Sequence, residues 1–554
     1  MIPAERWFSK AYHSQEIRVG ILLFAGLLSF GDNLHLSLLE GTEGLYAQIT
    51  RELVATQDYL RLTHLGEPYS NKPPFYFWMV SLWTQLFGEN EITLRLTSAL
   101  FACGTMWLTY ILGKVLFSSQ VGFWAALVVA SNHVFLWYGR RVLIDSTLTF
   151  FMALAIVAMV MGSRKGATSF WYFVAWIGMI LASMVKGLHG FALPLALILV
   201  YSIWQKELGL FKSLWFWLGL GAYFAFMNSF YFLLDPSFQW HFDWQTRLEE
   251  AFTFTHEDHQ PGHFKFYWYL YMLWFDFFPW SVLIPGSLLY VLSKRPFRRY
   301  PAEHLIWLWF LGFLLIMCLS RFRREPYLMP LVPSLGLLIG YYLVALSSTD
   351  GVPTWHRKLN LMAFGCLSGL FLFAFLAGPL LLNKKWSVPL DLFPMMYALS
   401  MMALCGFLVW ATWKHHMAFI RVGLIGIGLG FTVGIVQYLL PAIDRTSSPR
   451  HVAVQVRNLA QNASSPMYYF GITQEDLTYY LNRQPPIPSL TSLKDLHSLI
   501  QARPILLVTD KKNVQRLRTR RDMNIQTLEE YPQPRGRNFL VLLITQTAAG
   551  TKDD

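Results

Sequence analysis

Two carboxylates, Glu40 and Glu43, and a lysine, Lys72, stand in one polar, aromatic stretch, EGTEGLYAQITRELVATQDYLRLTHLGEPYSNKPP, from Glu40 to Pro74. A carboxylate can take a proton from a hydroxyl, and a lysine can hold a phosphate, so the stretch suits chemistry on a phosphate-bearing lipid. Further along, Asp145 lies in RRVLIDSTLTFF behind Arg140 and Arg141, and SRFRREPYLMP supplies Arg321, Arg323 and Arg324, then Tyr327. Guanidinium forks match phosphate oxygens in pairs. Burial raises a carboxylate's pKa and neighbouring guanidiniums lower it, and either setting suits a base or a residue that positions a hydroxyl.

Each of these residues also has a plainer reading. Glu40, three residues before Glu43, fits a helix cap or a solvated charge, and Asp145 opens a good capping sequence, Asp145-Ser146-Thr147. Lys72 between its prolines fits a side chain reaching up to lipid headgroups. His256 and His259, with His263, Glu257 and Asp258, fall in a long polar and aromatic loop. Their spacing matches no compact zinc motif, so a substrate-lining loop is favoured over a metal site.

The elements that must carry these groups are membrane helices. Hydrophobic residues make up 54% of the 554-residue chain and charged residues 14%, too few to cover a soluble surface. About thirteen apolar runs of spanning length lie between Ile17 and Leu440. An amphipathic segment at 75–87 is expected to lie in the interface after the first span. The net charge of +12 is read as positive loops on the cytoplasmic side; no nucleic-acid motif is present. The four cysteines fall in apolar runs without CxxC spacing and read as packing residues.

With the N-terminus cytoplasmic, the loops assigned to that side all carry Lys or Arg, and an odd span count puts the C-terminus outside. Lys72, Arg140, Arg141, Lys186, Arg247, Arg321, Arg323, Arg324, Lys384 and Lys385 then face outward against the rule, and a bound anion is a reason to keep them there. After Pro441 the character changes. Residues 1–442 read as the membrane domain and 443–554 as a small extracytoplasmic α/β domain. Its strands are expected at 467–471, 504–509 and 538–545, with helices at 474–481, 492–501 and 512–521.

Taken in order, these pieces resemble the lipid-phosphate-dependent glycosyltransferases of the GT-C fold, in the bacterial branch of the lipid A aminoarabinose transferase and the protein O-mannosyltransferase relatives. The resemblance rests on T-E-x-x-Y-A at Thr42–Ala47, R-E-L at Arg51–Leu53, Y-x-x-K-P-P at Tyr69–Pro74, and LFG…RL at Leu86–Leu96. It continues with R-x-x-x-x-D at Arg140–Asp145, Lys186-Gly187, H-x-P…Y-W-Y at His259–Tyr269, Pro279-Trp280 and S-x-x-R-R-E-P-Y-x-x-P at Ser320–Pro330. It implies inverting transfer of a sugar from a polyprenyl-phosphate donor to a lipid, glycan or protein acceptor on the non-cytoplasmic face of the cell membrane. Glu43 and Asp145 are the catalytic candidates; Thr42 stands where the family has Asp, which leaves the base open among Glu43, Asp145 and Glu40. The family lysine falls on Lys72, which would hold the donor phosphate with Arg140, Arg141, Arg321, Arg323 and Arg324. Glu40, Tyr46, Tyr69, His256, His259 and Tyr327 are expected to line the substrate site. No cofactor is required; a divalent metal at His256 and His259 is the less favoured alternative, since Asn71 replaces an acidic residue found in some relatives. A transporter or flippase for lipid-linked sugars is the runner-up reading; it would favour internal repeats, and none is seen. A membrane-anchored binding module ranks last, because it leaves the outward charges unexplained.

Overall fold

The computed structural model describes residues 14–38, 41–166, 168–206, 208–234, 267–293, 301–319, 323–346, 354–386, 392–463, 465–471, 475–481, 488–490, 492–518, 523–531 and 539–546. Glu40, His256, His259 and Arg321 lie outside these residues.

Helix α1 (Gln15–Gly26), prolonged by a π turn at Leu27–Gly31, leads into the first long loop. This loop carries α2 (Gly41–Thr56), a short hairpin of β1 (Thr63–His64) and β2 (Glu67–Pro68), and α3 (Phe75–Phe87). Pro73 and Pro74 stop the chain from forming helix earlier and release it at α3. Asn90 and Thr93 form a reciprocal capping box that starts α4 (Glu91–Leu116). Then follow α5 (Ser119–Ser131), α6 (His133–Tyr138), α7 (Asp145–Lys165), α8 (Trp171–Lys186), α9 (Leu188–Gln205) and α10 (Leu214–Leu234). Helices α11 (Trp268–Asp276) and α12 (Ile284–Ser293) belong to a pair bent by 113°. The bundle continues with α13 (Pro301–Leu319), a 3-10 turn at Glu325–Leu331 running into α14 (Val332–Leu346), α15 (Thr354–Trp386), α16 (Leu392–Trp413) and α17 (Met417–Val433).

Among the described residues, eight helices are long and apolar enough to cross a membrane, or nine if the bent pair is one span. The apolar runs alone suggested about thirteen; α5, α8 and the segment 358–373 are apolar but shorter than the rest. Burial separates the bundle into centre and rim. The segment Glu325–Leu346 is 83% buried and α7 78%, whereas α9 and α10 are 28% buried and turn Ile203, Trp204, Leu214 and Trp217 outward. Gly336 and Gly340, spaced G-x-x-x-G on α14, let that helix meet α5: a Cβ at either would lie within 2.8 Å of the Ala125 or Val121 carbonyl oxygen.

Past the bundle, α18 (Leu440–Ser447) and α19 (Pro449–Ala463) lead into a five-stranded mixed sheet. Its order is β4-β3-β5-β7-β6, from β3 (Met467–Phe470), β4 (Ser489–Leu490), β5 (Ile505–Asp510), β6 (Met523–Tyr531) and β7 (Phe539–Gln546). Between the strands lie α20 (Glu475–Leu481), α21 (Leu493–Ala502) and α22 (Lys511–Arg518). Alternation along β5 sends Leu506 and Val508 to one face, against Ala453, Val456 and Leu477. Ile505 and Leu507 go to the other, against Leu496, Ile500, Val514 and Leu517. Both faces are covered, which is why β5 reads as a continuous apolar run. Strand β6 was not anticipated from the sequence; it is the polar edge, NIQTLEEY, with a register shift between Thr527 and Glu529.

The sheet domain is fixed to the first loop through α20. The Gly44 N–H donates to Asp476 Oδ1 at 3.0 Å, and Arg51 Nη1 donates to the Tyr479 carbonyl at 2.9 Å. Tyr480 donates to Glu91 Oε1 at 2.8 Å and accepts from the Leu38 N–H at 2.9 Å. A Cβ at Gly44 would stand 2.5 Å from the Asp476 backbone nitrogen, so only glycine permits this approach. Gly44→Leu should therefore detach the domain while α2 stays helical. Limited trypsin digestion of the purified protein should release the C-terminal fragment roughly fivefold faster; unchanged kinetics would show that the contact is not holding the domain.

Candidate active site

Asp145 is the first residue of α7 and Lys186 the last of α8. Consecutive helices joined by a short loop run antiparallel, so the two charges meet at one end of the bundle. Lys186 Nζ lies 2.6 Å from Asp145 Oδ1 and 3.8 Å from the centre of the Tyr327 ring. Around this pair is a cavity of about 540 Å³ lined by Thr42 and Tyr46 from α2, by Lys72, and by Tyr138. Trp268, the run Arg323–Tyr327 and Glu475 of the sheet domain complete its wall. Four cations (Lys72, Lys186, Arg323 and Arg324) and three carboxylates (Asp145, Glu325 and Glu475) therefore face one space. Lys72 is kept near the Asn71 side chain, with Nζ 3.0 Å from its Oδ1. Glu325 accepts from the Tyr138 hydroxyl, and Glu475 Oε2 is 3.0 Å from His64 Nε2.

Glu43 lies elsewhere. Its side chain is fully buried, turned from the cavity to Arg95 of α4: Arg95 Nε donates to Oε1 at 3.0 Å and Nη2 to Oε2 at 3.1 Å. Oε1 also accepts from the Val142 N–H at 3.0 Å. The remaining Arg95 hydrogens go to the carbonyls of Leu34 (3.0 Å), Leu36 (2.5 Å) and Ser37 (2.9 Å), so all five donors of the guanidinium are used. Burial alone would push the Glu43 carboxyl up, but the charges of Arg95 and Arg141 and these hydrogen bonds outweigh it. They hold the group below its ordinary value of 4.5. The expectation of Glu43 as a base does not fit this placement: its carboxylate is committed to three donors and does not line the cavity.

Arg140 and Arg141 are also behind the wall. Arg140 is buried, with Nη1 3.4 Å from the Ser29 carbonyl, and burial beside Arg95 and Arg141 brings its pKa down to about 9. Arg141 stacks on Trp137, with its guanidinium carbon 4.3 Å from the ring centre. Neither lines the cavity, so the expectation that they hold a donor phosphate there does not fit their placement. Tyr46, Lys72, Asp145, Arg323, Arg324 and Tyr327 do line it; Tyr69 is not in the lining and meets Phe77 edge-on, as Tyr46 does. Burial raises both phenols well above their ordinary range, so both remain neutral O–H donors. No group of three or more metal-binding side chains is found among the described residues, which do not include His256 and His259.

Sequence reasoning left Glu325 and Glu475 out of the site, and took Lys186 as an outward charge and as part of the Lys186-Gly187 motif without giving it a role there. Glu325 had a signal, since it stands inside the R-R-E-P-Y run at 323–327. Glu475 had none, because it arrives from a separate domain.

The fold is that of a multi-pass membrane protein, with a cation-rich cavity at one end of the bundle. The dolichyl-phosphate-mannose-protein mannosyltransferase family model matches residues 71–231. An undecaprenyl phosphate-alpha-4-amino-4-deoxy-L-arabinose arabinosyl transferase of Pseudomonas fluorescens is 29% identical over 313 residues, covering 54% of this chain and 55% of the relative. The match thus spans about half the length of that relative. An uncharacterized protein of Aquifex aeolicus is 25% identical over 449 residues, 80% of this chain and 82% of the relative. The crystal structure of ArnT from Cupriavidus metallidurans bound to undecaprenyl phosphate superposes with a TM-score of 0.71 at 20% identity, covering 95% of this chain and 97% of that one. The GT-C architecture expected from the sequence motifs is the one found.

The Glu43–Arg95 pair makes a stability test. Glu43→Gln or Arg95→Met leaves one charge buried alone, and each should cost about 3–5 kcal/mol, while the double variant recovers part of the loss. The lowered pKa of Glu43 means its contribution is present above the unfolded value near 4.5 and is lost as pH falls through the folded value. Thermal unfolding in detergent should show the wild type losing its advantage over the double variant below about pH 4.5. A constant difference across that range would show that the pair does not titrate with folding.

Proposed function

We propose that this chain is an integral-membrane inverting glycosyltransferase that moves a sugar from a polyprenyl-phosphate donor to a lipid, glycan or protein acceptor. The observation that carries this reading is the convergence of Lys72, Lys186, Arg323 and Arg324 from separate elements on one cavity that also holds Asp145. Cations fixed in advance around a departing phosphate stabilise the charge that develops as the sugar–oxygen bond breaks. The undecaprenyl phosphate bound by the ArnT of similar fold, and the arabinosyl transferases and mannosyltransferase family matched in sequence, support a donor of this class.

The step is a single in-line displacement. The acceptor hydroxyl oxygen forms the new bond to the anomeric carbon from the face opposite the phosphate. The old carbon–oxygen bond breaks, and its electron pair leaves with the polyprenyl phosphate. Asp145 takes the hydroxyl proton, with Lys186 orienting its carboxylate. Lys72, Arg323 and Arg324 hold the phosphate, with Arg321 next to them in sequence; Tyr46 and Tyr327 shape the space beside it. Glu43 acts indirectly, by fixing the loop before Asp145. In this scheme lysine and arginine carry the phosphate charge, and the chemistry requires no cofactor. We place the N-terminus in the cytoplasm and the cavity with the sheet domain on the far side, where polyprenyl-phosphate sugars are consumed. Collection of the charges at one end of the bundle supports transfer over transport, which needs charges near the midplane.

In nanodiscs with a polyprenyl-phosphate sugar and an envelope extract as acceptor, Asp145→Asn should lower the transfer rate about 10²–10⁴-fold without loss of donor binding. Lys72→Ala should lower it about 10²-fold or more, with weaker donor binding. Full activity from either variant would remove that residue from the proposed machinery, and altered sidedness of lipid-linked sugar without any new glycosidic bond would favour the transporter.

A further inference from the structure

The cavity wall contributed by the sheet domain is a carboxylate. Glu475 is the first residue of α20, about one-fifth exposed, and it lines the same space as the four cations. Its helix is clamped on both sides. Besides the Gly44–Asp476 and Tyr480 contacts, Arg51 lies 4.0 Å over the Tyr479 ring, and Tyr479 donates to Glu89 Oε1 at 2.6 Å. On the domain's own side, Arg457 Nη2 donates to the Tyr480 carbonyl at 2.8 Å. His64, from the hairpin of the first loop, engages Oε2. Glu475 is thus held by two independent parts of the chain, on a support rigid enough to set the position of a ligand.

The charge of Glu475 decides what it can meet. A carboxylate repels phosphate, and it forms strong charge-assisted hydrogen bonds with hydroxyl and ammonium donors. Of the three carboxylates in the cavity, Asp145 is paired with Lys186, and Glu325 takes the Tyr138 hydroxyl. Both come from the membrane bundle; Glu475 alone of the three comes from the sheet domain. We infer that Glu475 is a specificity-determining residue through which the C-terminal domain reads the hydroxyl or amino groups of a sugar ring in the cavity, while the cations take the phosphate. This inference rests on the transferase reading. The sugar ring can belong to the donor or to a glycan acceptor, and the two sources separate in the test.

The full-length protein in nanodiscs is titrated with undecaprenyl phosphate and with undecaprenyl-phosphate sugars, one hexose and one 4-amino-4-deoxyarabinose. Wild type is compared with Glu475→Gln, which keeps the size of the side chain, and with His64→Ala, which keeps the carboxylate. If the donor sugar is read, Glu475→Gln should weaken the preferred sugar-bearing ligand about tenfold and leave undecaprenyl phosphate within about twofold. If the acceptor is read, all three ligands bind as before and the KM for envelope extract rises about tenfold at unchanged kcat. Unchanged binding and KM would overturn the inference, as would equal weakening of undecaprenyl phosphate, which marks a wall support only. A Glu475→Gln protein that loses all binding while His64→Ala behaves as wild type would place the role in folding and also overturn it. Wild type that binds none of the three ligands would overturn the transferase reading itself, and this inference with it.

Discussion

The loop that leads into Asp145 depends on the ion pair between Arg95 and Glu43. A guanidinium buried in a membrane protein is tolerated when each of its donors has an acceptor. Arg95 finds its acceptors in Glu43 and in the carbonyls of Leu34, Leu36 and Ser37, which sets the path of the chain as it leaves the first span. Glu43 passes the constraint on through the Val142 N–H. Ser98, one turn along α4 from Arg95, donates to the Leu143 carbonyl at 3.0 Å and meets the Tyr76 hydroxyl at 2.9 Å. The residues just before Asp145 are thus pinned from α2, α3 and α4 together.

Beside that frame, four cations from separate elements line one cavity. Lys72 is presented by a proline-bounded turn, Lys186 by the end of α8, and Arg323 and Arg324 by the segment leading into the buried 3-10 turn. No single element could carry this density of cations without strong repulsion. Here they are spread over several elements and interleaved with Asp145, Glu325 and Glu475, an arrangement set by the fold. Such preorganisation is what makes charge stabilisation effective in catalysis. The sheet domain belongs to the same design, since it closes the cavity with a group of opposite sign.

Much of this was legible in the sequence. The membrane class followed from composition, and Lys72, Asp145, Tyr327 and the arginines of 323–324 could be assigned to one end because each stands at a helix boundary or beside a proline. The direction of a side chain around its helix was not legible. Whether Glu43 faced substrate or scaffold was decided by Arg95, 52 residues further on, and no local pattern reports that choice. The placement of Arg140 and Arg141 was hidden for the same reason, since the loop they occupy buries them away from the cavity lining. Glu475 was beyond reach because the docking of α20 on α2 joins residues 432 apart, Gly44 and Asp476, through a close backbone approach that composition does not signal. Strand β6 was missed because an edge strand carries polar residues and shows no apolar run.

On the proposed reading, the cavity beside Asp145 holds the donor phosphate and the buried arginines do not. Electron cryomicroscopy of the protein with undecaprenyl phosphate in nanodiscs tests this most directly. The expected result is phosphate density within hydrogen-bond reach of Lys72 and Lys186, with Arg323 or Arg324 completing the shell and Glu43 still paired with Arg95. Phosphate density against Arg140 and Arg141, or a Glu43 carboxylate that has left Arg95 for the ligand, would contradict it.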